Sequence, residues 1–326
     1  MKKFVTKLIL FIIPIALISY GADVFISKEL KKSNTYVGGE YTTWNAIYDG
    51  KINSDIIISG ASRAWEHINS TRLGDSLHTT VYNIGINGHT FWMQYLRHRL
   101  LLEHNRKPKL IIHSLDIFTL RKGADLFEPD QFLPYMFFDN EMEKSASSLR
   151  GYSFFDYNLP LLRYYGKKEA IMQAMKLFIK PSGDSLIRIR GYRAQDQPWN
   201  NDFERVTAKT KSFEVKFDTA SLNLFDRYLN ECRTNNIKVI FVYSPEYIEG
   251  QRFVKNRDEI IGVYTKFSKK YDIPFYDYSN DSLSFQRKYF YNALHLNKVG
   301  AELFTGKLIQ RLKADSLVTG MWPSGK

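Results

Sequence analysis

The sequence predicts an α/β fold, a three-layer sandwich built on a mostly parallel sheet, with an N-terminal transmembrane helix and an irregular cap insertion. Three observations carry the prediction. Short β-branched runs recur, as in strands buried on both faces. Segments with apolar residues at helical spacing separate them. A positive, then apolar, stretch opens the chain. At 326 residues the chain is long enough to bury such a core.

Lys2, Lys3 and Lys7 precede the uncharged run Leu8 to Ala22, which resumes past Asp23 as Val24-Phe25-Ile26. Counted through to Ile26 it is long enough for a membrane span of ~20 residues. Ser19-Tyr20-Gly21 offers a small-x-small cleavage site, but the apolar run continues beyond it, which favours an uncleaved signal anchor over 1–28. Lysines on the N-terminal side predict an N-in topology. Residues 29–326 would then form an extracytoplasmic (periplasmic) domain on a single-pass anchor in the inner membrane. Residues 28–50, with Gly38-Gly39, read as a tether into the fold.

The first strand is Asp55 to Gly60 and the second Val81 to Gly85. Thr90 to His104 places Phe91, Tyr95, Leu96, Leu100 and Leu102 at helical spacing, and Lys109 to Ser114 is the third strand. The rhythm breaks over about 120–215, where Pro129, Pro134, Pro160, Pro181 and Pro198 stand among the aromatic pairs Phe137-Phe138, Phe154-Phe155 and Tyr164-Tyr165. This stretch reads as an insertion or cap over the sheet. Order returns with a helix over Ser221 to Asn235, the strand Lys238 to Tyr243, a helix over Asp258 to Lys270 and a short strand Pro274 to Asp277. His295 to Lys313 begins as a loop and ends as a helix.

Composition narrows the chemistry. Hydrophobic residues make up 44% and charged residues 25%, ordinary for a folded protein and unlike a disordered chain or a multi-span transporter. The single cysteine, Cys232, excludes an internal disulfide and a thiolate-rich zinc site. No His/Asp/Glu cluster has metal-ligand spacing and no phosphate-binding glycine loop occurs, so neither metal nor cofactor is expected. The net charge of +12 favours anionic partners such as an acidic glycan or lipid headgroups. No nucleic-acid module is recognisable.

Gly60-Ala61-Ser62-Arg63 follows the first strand directly, where α/β folds place reactive groups and where backbone N–H groups can hold an oxyanion. An N-cap role for Ser62 is the alternative at that position. Asn83-Ile84-Gly85-Ile86-Asn87-Gly88 closes the second strand and can present an N–H donor, or be a plain turn. His295-Leu296-Asn297 supplies a late histidine able to serve an early serine as general base, unless it is an ordinary surface histidine.

Together, G-x-S-R after the first strand, N-x-G-x-N-G after the second, Ser244-Pro245-Glu246-Tyr247 after a later strand and H-L-N-x-x-G-A near the end resemble the SGNH (GDSL-like) hydrolase superfamily. The likeness is greatest to its membrane-anchored envelope branch, similar to the D-alanyl-teichoic-acid and alginate O-acetylation factors. It spans most of 52–315, the middle region apart. The resemblance implies an SGNH/flavodoxin-like sheet, Ser62 as acyl-enzyme nucleophile, His295 as its base, and the N–H groups of Ser62 and Gly85 as oxyanion donors. It also implies, as partners, an envelope polysaccharide or other glycan acceptor and a membrane-bound O-acyltransferase.

Two positions depart from the family pattern. Asn292 stands three residues before His295, where the family usually has its acid, so Asn292 orients the imidazole or Asp277 or Asp281 supplies a carboxylate. The usual G-x-N-D after the third strand is His113-Ser114-Leu115-Asp116, which leaves Asn87 as the nearest substitute for the missing oxyanion asparagine. Arg63 either binds an anionic group of the substrate or holds the loop by a salt bridge. The expected function is a serine-dependent acyltransferase or esterase handling a small acyl group, acetyl foremost, on an envelope polysaccharide. The alternative is a catalytically impaired scaffold or polysaccharide-binding subunit that keeps the fold.

Overall fold

The computed structural model describes residues 1–34, 39–137, 139–180 and 188–321; Gly38, Phe138 and Pro181 lie outside these. Five strands, β1 (Ile56–Gly60), β2 (Val81–Asn83), β3 (Leu110–Leu115), β4 (Lys238–Tyr243) and β5 (Phe275–Asp277), form one sheet in the order β2-β1-β3-β4-β5, every pair parallel. Ile56, Ile57 and Ile58 are all buried, as are Leu110, Ile111 and Ile112, because helices cover both faces. The helices Phe91–His104, Thr219–Thr234, Arg257–Tyr271 and Lys298–Ala314 fall where the apolar spacing places them. The expected three-layer α/β sandwich is the observed one.

The strand order reverses direction between β1 and β3, the point at which a doubly wound sheet opens a crevice beyond its carboxyl ends. β1 leads through Ala61 into the helix Ser62–His67, so Ser62 stands just beyond the carboxyl end of β1. A two-stranded antiparallel ribbon, β6 (Phe290–Asn292) with β7 (His295–Leu296), pairs Asn292 with His295 across its turn. The tight ribbon is what holds two residues so near in sequence face to face.

The chain divides into two units. Residues 47–123 and 188–326 contain the sheet, and residues 1–46 and 124–187 form the other. The stretch expected as one insertion over 120–215 is therefore shared between them. In the second unit, one helix runs unbroken over Lys2–Leu30, long and apolar enough to cross a membrane. Its apolar side chains are exposed from Phe4 to Ile18, but its last turns are buried inside the unit. Asp23, which interrupts the apolar run, meets Arg163 at 2.6 Å with both side chains fully enclosed, and it also accepts the Leu161 N–H at 2.8 Å. Ser27 Oγ lies 2.8 Å from Tyr164 Oη, and Phe25 meets the Phe178 ring edge-on at 5.1 Å. The charge in the apolar run belongs to a folded contact. The same unit exposes Phe154, Phe155, Leu159, Leu162, Tyr165, Met172, Met175, Phe178 and Ile179.

Candidate active site

Ser62 Oγ lies 2.7 Å from His295 Nε2. The N-cap of the helix Ser62–His67 is Ala61, so the Ser62 hydroxyl is not spent on capping. On the other side of the imidazole, Nδ1 lies 3.0 Å from Asn292 Oδ1. That oxygen also accepts the backbone N–H groups of Leu294 at 3.0 Å and His295 at 2.9 Å. Two N–H donors fix which end of the amide faces the ring, because an NH₂ group could not accept them. Nδ1 must then carry the hydrogen, leaving the Nε2 lone pair toward Ser62. This is the tautomer a general base needs.

The surroundings keep His295 neutral. Burial and, second, the Arg63 charge push its pKa down to about 3. Tyr291 stacks on the ring at 5.4 Å and donates its hydroxyl to Glu66 Oε2 at 2.6 Å. Burial of Glu66 raises its pKa to about 7. A second imidazole, His67, stands edge-on to His295 at 5.9 Å. Its Nε2 accepts the Leu296 N–H at 3.0 Å and its Nδ1 donates to Ser244 Oγ at 2.8 Å, so it ties β7 to the loop after β4.

Arg63 takes the loop-holding role. Its guanidinium is 3% exposed, pairs with Glu246 at 2.7 Å, donates to the Ser244 hydroxyl and carbonyl, and lies 4.6 Å over the Tyr243 ring. The Ser244-Pro245-Glu246-Tyr247 motif thus supplies the acceptors of an arginine beside Ser62. Asp277 and Asp281 are not brought to His295. Asp277 accepts from Ser279, while Asp281 caps a helical turn at Leu283 and pairs with Lys307 at 2.7 Å. The group that orients the imidazole is Asn292.

The glycine loop after β2 is placed differently from expectation. The Gly85 N–H, expected to face an oxyanion, donates to Asn83 Oδ1 at 3.0 Å. Its carbonyl accepts both Arg97 and Arg188 at 2.9 Å. A Cβ at Gly85 would stand 2.8 Å from Ala64 Cβ, so glycine here lets the loop meet the serine helix. Neither Gly85 nor Asn87 lines the cavity of about 180 Å³ that holds Ser62 and His295, whereas Gly88 does, at φ +67°. Of the glycines in this loop, Gly88 is the one that lines the cavity together with Ser62. Sequence reasoning missed Gly88 by stopping at the first glycine of the motif. It missed Arg97 and Arg188 because no local pattern ties them to the loop they clamp.

A second, larger cavity of about 470 Å³ lies alongside, lined mainly by apolar side chains, with Arg121, Asp202 and Asn292 its polar ones. Asp202, Phe203, Val206 and Phe213, from the far end of the irregular stretch, form one wall of it. No group of three or more His, Cys, Asp or Glu residues able to hold a metal ion occurs among the described residues.

No family model matches the chain, and no curated protein matches it. Among solved structures it is similar to one from Bacteroides fragilis, provisionally described as an acylhydrolase, at 12% identity and a TM-score of 0.34, over 78% of this chain and 86% of that one.

Proposed function

We propose that this chain is a membrane-anchored, SGNH-type serine esterase or acyltransferase acting outside the cytoplasm on acyl esters of an envelope polysaccharide, with acetyl the smallest acyl group it takes. The observation that carries the reading is the continuous line from Asn292 Oδ1 through the His295 ring to Ser62 Oγ, at 3.0 and 2.7 Å.

Each residue then has a task. His295 Nε2 accepts the Ser62 proton as Oγ attacks the ester carbonyl. The N–H groups of Ser62 and Gly88 stabilise the resulting oxyanion. As the tetrahedral intermediate collapses, the imidazolium returns the proton to the leaving oxygen, and the acyl group stays on Ser62. Water or a sugar hydroxyl then gives its proton to His295 and attacks the acyl-enzyme, freeing Ser62. Asn292 holds the tautomer throughout but gives the imidazolium no countercharge, so catalysis is slower than with a carboxylate in its place.

The helix Lys2–Leu30 supports the anchor, with the lysines on the cytoplasmic side and the exposed apolar residues of 154–179 in the same unit as the span. A membrane-bound O-acyltransferase beside it would supply the acyl group. The test is the full-length chain in nanodiscs with an activated acetyl ester and a sugar acceptor. Ser62-dependent release or transfer of acetate supports the reading. Equal rates from wild type and Ser62→Ala would remove it.

A further inference from the structure

The apolar cavity and the catalytic cavity share Ile117, Phe118, Arg121 and Leu294, so they adjoin along one wall. Leu294 is the residue before His295, and Phe118 follows β3 in the loop that begins at Asp116. Ser62 and His295 line the smaller cavity, and beyond the shared wall the larger one is lined by Phe203, Val206, Phe213 and Phe253. Its volume of about 470 Å³ lies within the 300–1,000 Å³ typical of small-molecule sites, far more than an acetyl methyl group fills. A sugar ring would need polar partners that this lining does not offer in number.

Resting on the serine mechanism above, we propose that the cavity is an acyl-chain site, and that Ser62 carries a medium-length aliphatic acyl group in preference to acetyl. The chain runs from the oxyanion position past Leu294 and Phe118 into the phenylalanine pocket. Each methylene buried there is worth roughly fourfold in binding. The polysaccharide or other alcohol must then approach from the remaining open side of the smaller cavity.

The test uses the full-length protein in nanodiscs, which avoids detergent chains competing for the pocket. The kcat/KM for p-nitrophenyl acetate, butyrate, hexanoate and octanoate is expected to rise by at least tenfold from the two-carbon to the eight-carbon ester. Val206→Trp fills the pocket and Val206→Asp places a charge in it. Val206 is 48% exposed, so neither change threatens the fold. Each variant is expected to cut the octanoate-to-acetate ratio of kcat/KM by at least tenfold. A profile that is flat or falls with chain length, with acetate hydrolysis still dependent on Ser62, would overturn the chain site and leave the esterase reading intact.

A second arm does not need turnover. A diazirine-bearing octanoic acid, photolysed on the Ser62→Ala protein, is expected to label peptides within 202–213 or 250–254, and labelling is expected to be lost with Val206→Trp. Labelling without any ester hydrolysis would keep the chain site and remove the esterase reading. Labelling elsewhere, unaffected by Val206→Trp, would overturn the site.

Discussion

Asn292 presents its carbonyl oxygen to His295 Nδ1 at 3.0 Å, and two backbone N–H groups hold that oxygen in place. The histidine is thus oriented as a base by a neutral group. Asn292→Ala removes the acceptor and frees the ring to change tautomer, and kcat for ester hydrolysis is expected to fall by about 10²–10⁴. Asn292→Asp keeps the geometry and adds a countercharge to the imidazolium, which should raise the His295 pKa and increase kcat by about 10–10². Steady-state kinetics on the two variants checks both directions; a slower Asp variant would contradict the assigned role.

The two glycines of the loop after β2 predict different failures. Gly88→Ala strains a residue at φ +67° and shifts one oxyanion donor, so kcat is expected to drop by about 10²–10³ while stability falls by only about 1–2 kcal/mol. Gly85→Ala drives a methyl group against Ala64 and the Trp65 backbone on the serine helix, and is expected to show mainly as a lower melting temperature. Kinetics and thermal unfolding on the same samples separate the two.

Acid should unfold the protein before it titrates the base. Burial pushes His98, His113 and His295 down to about 3, and His67 well below its ordinary 6.5. Each is bound to a proton in the unfolded chain but not in the folded one between those values. Their contribution is full above pH 6.5 and is lost as pH falls toward 3. Glu66 runs the other way. Raised to about 7, it contributes below its ordinary 4.5 and loses that contribution as pH rises through 7. The rate should therefore show no acid limb near 6.5, its fall coinciding with unfolding at lower pH. Glu66→Gln removes the opposing contribution, so stability should rise more steeply with pH between 4.5 and 6.5 than in the wild type. Parallel pH series of kcat/KM and of unfolding free energy check this.

Asp23 and Arg163 tie the last turns of the helix Lys2–Leu30 into its unit. Removing one partner leaves a charge buried without its ion pair, and Asp23→Ala is expected to cost about 3–5 kcal/mol in the unit that contains the helix. Asp23→Ala with Arg163→Met should recover part of that loss. Protease resistance of the full-length chain in nanodiscs reads both. A truncation at residue 28 removes Asp23 and Ser27 together and is expected to be less stable for the same reason.

The sheet was legible because β1, β3 and β4 are buried on both faces and therefore read as unbroken apolar runs with glycine or loop signals at their ends. Ser62 and His295 were legible by position, one at a strand end and one before the last long helix. Asn292 was legible by its spacing from His295, since the β6–β7 turn is local. Gly88 was not, because which glycine in 83–88 turns toward the site depends on Asn83 capturing the Gly85 N–H and on Arg97 and Arg188 clamping its carbonyl. The role of Arg63 was undecidable in sequence, since Glu246 reaches it from the loop after β4, far along the chain. The contact of Asp23 was not legible, because its partner, Arg163, lies 140 residues away.

The central claim is that Ser62 is a nucleophile activated by His295. The direct measurement is intact-mass analysis of the full-length protein, in nanodiscs, after treatment with a serine-directed fluorophosphonate. The account predicts one adduct in the wild type and none in Ser62→Ala or His295→Ala. A folded wild type that takes no adduct, or an adduct that persists in Ser62→Ala, would contradict it, and the first result would favour a polysaccharide-binding or scaffolding subunit.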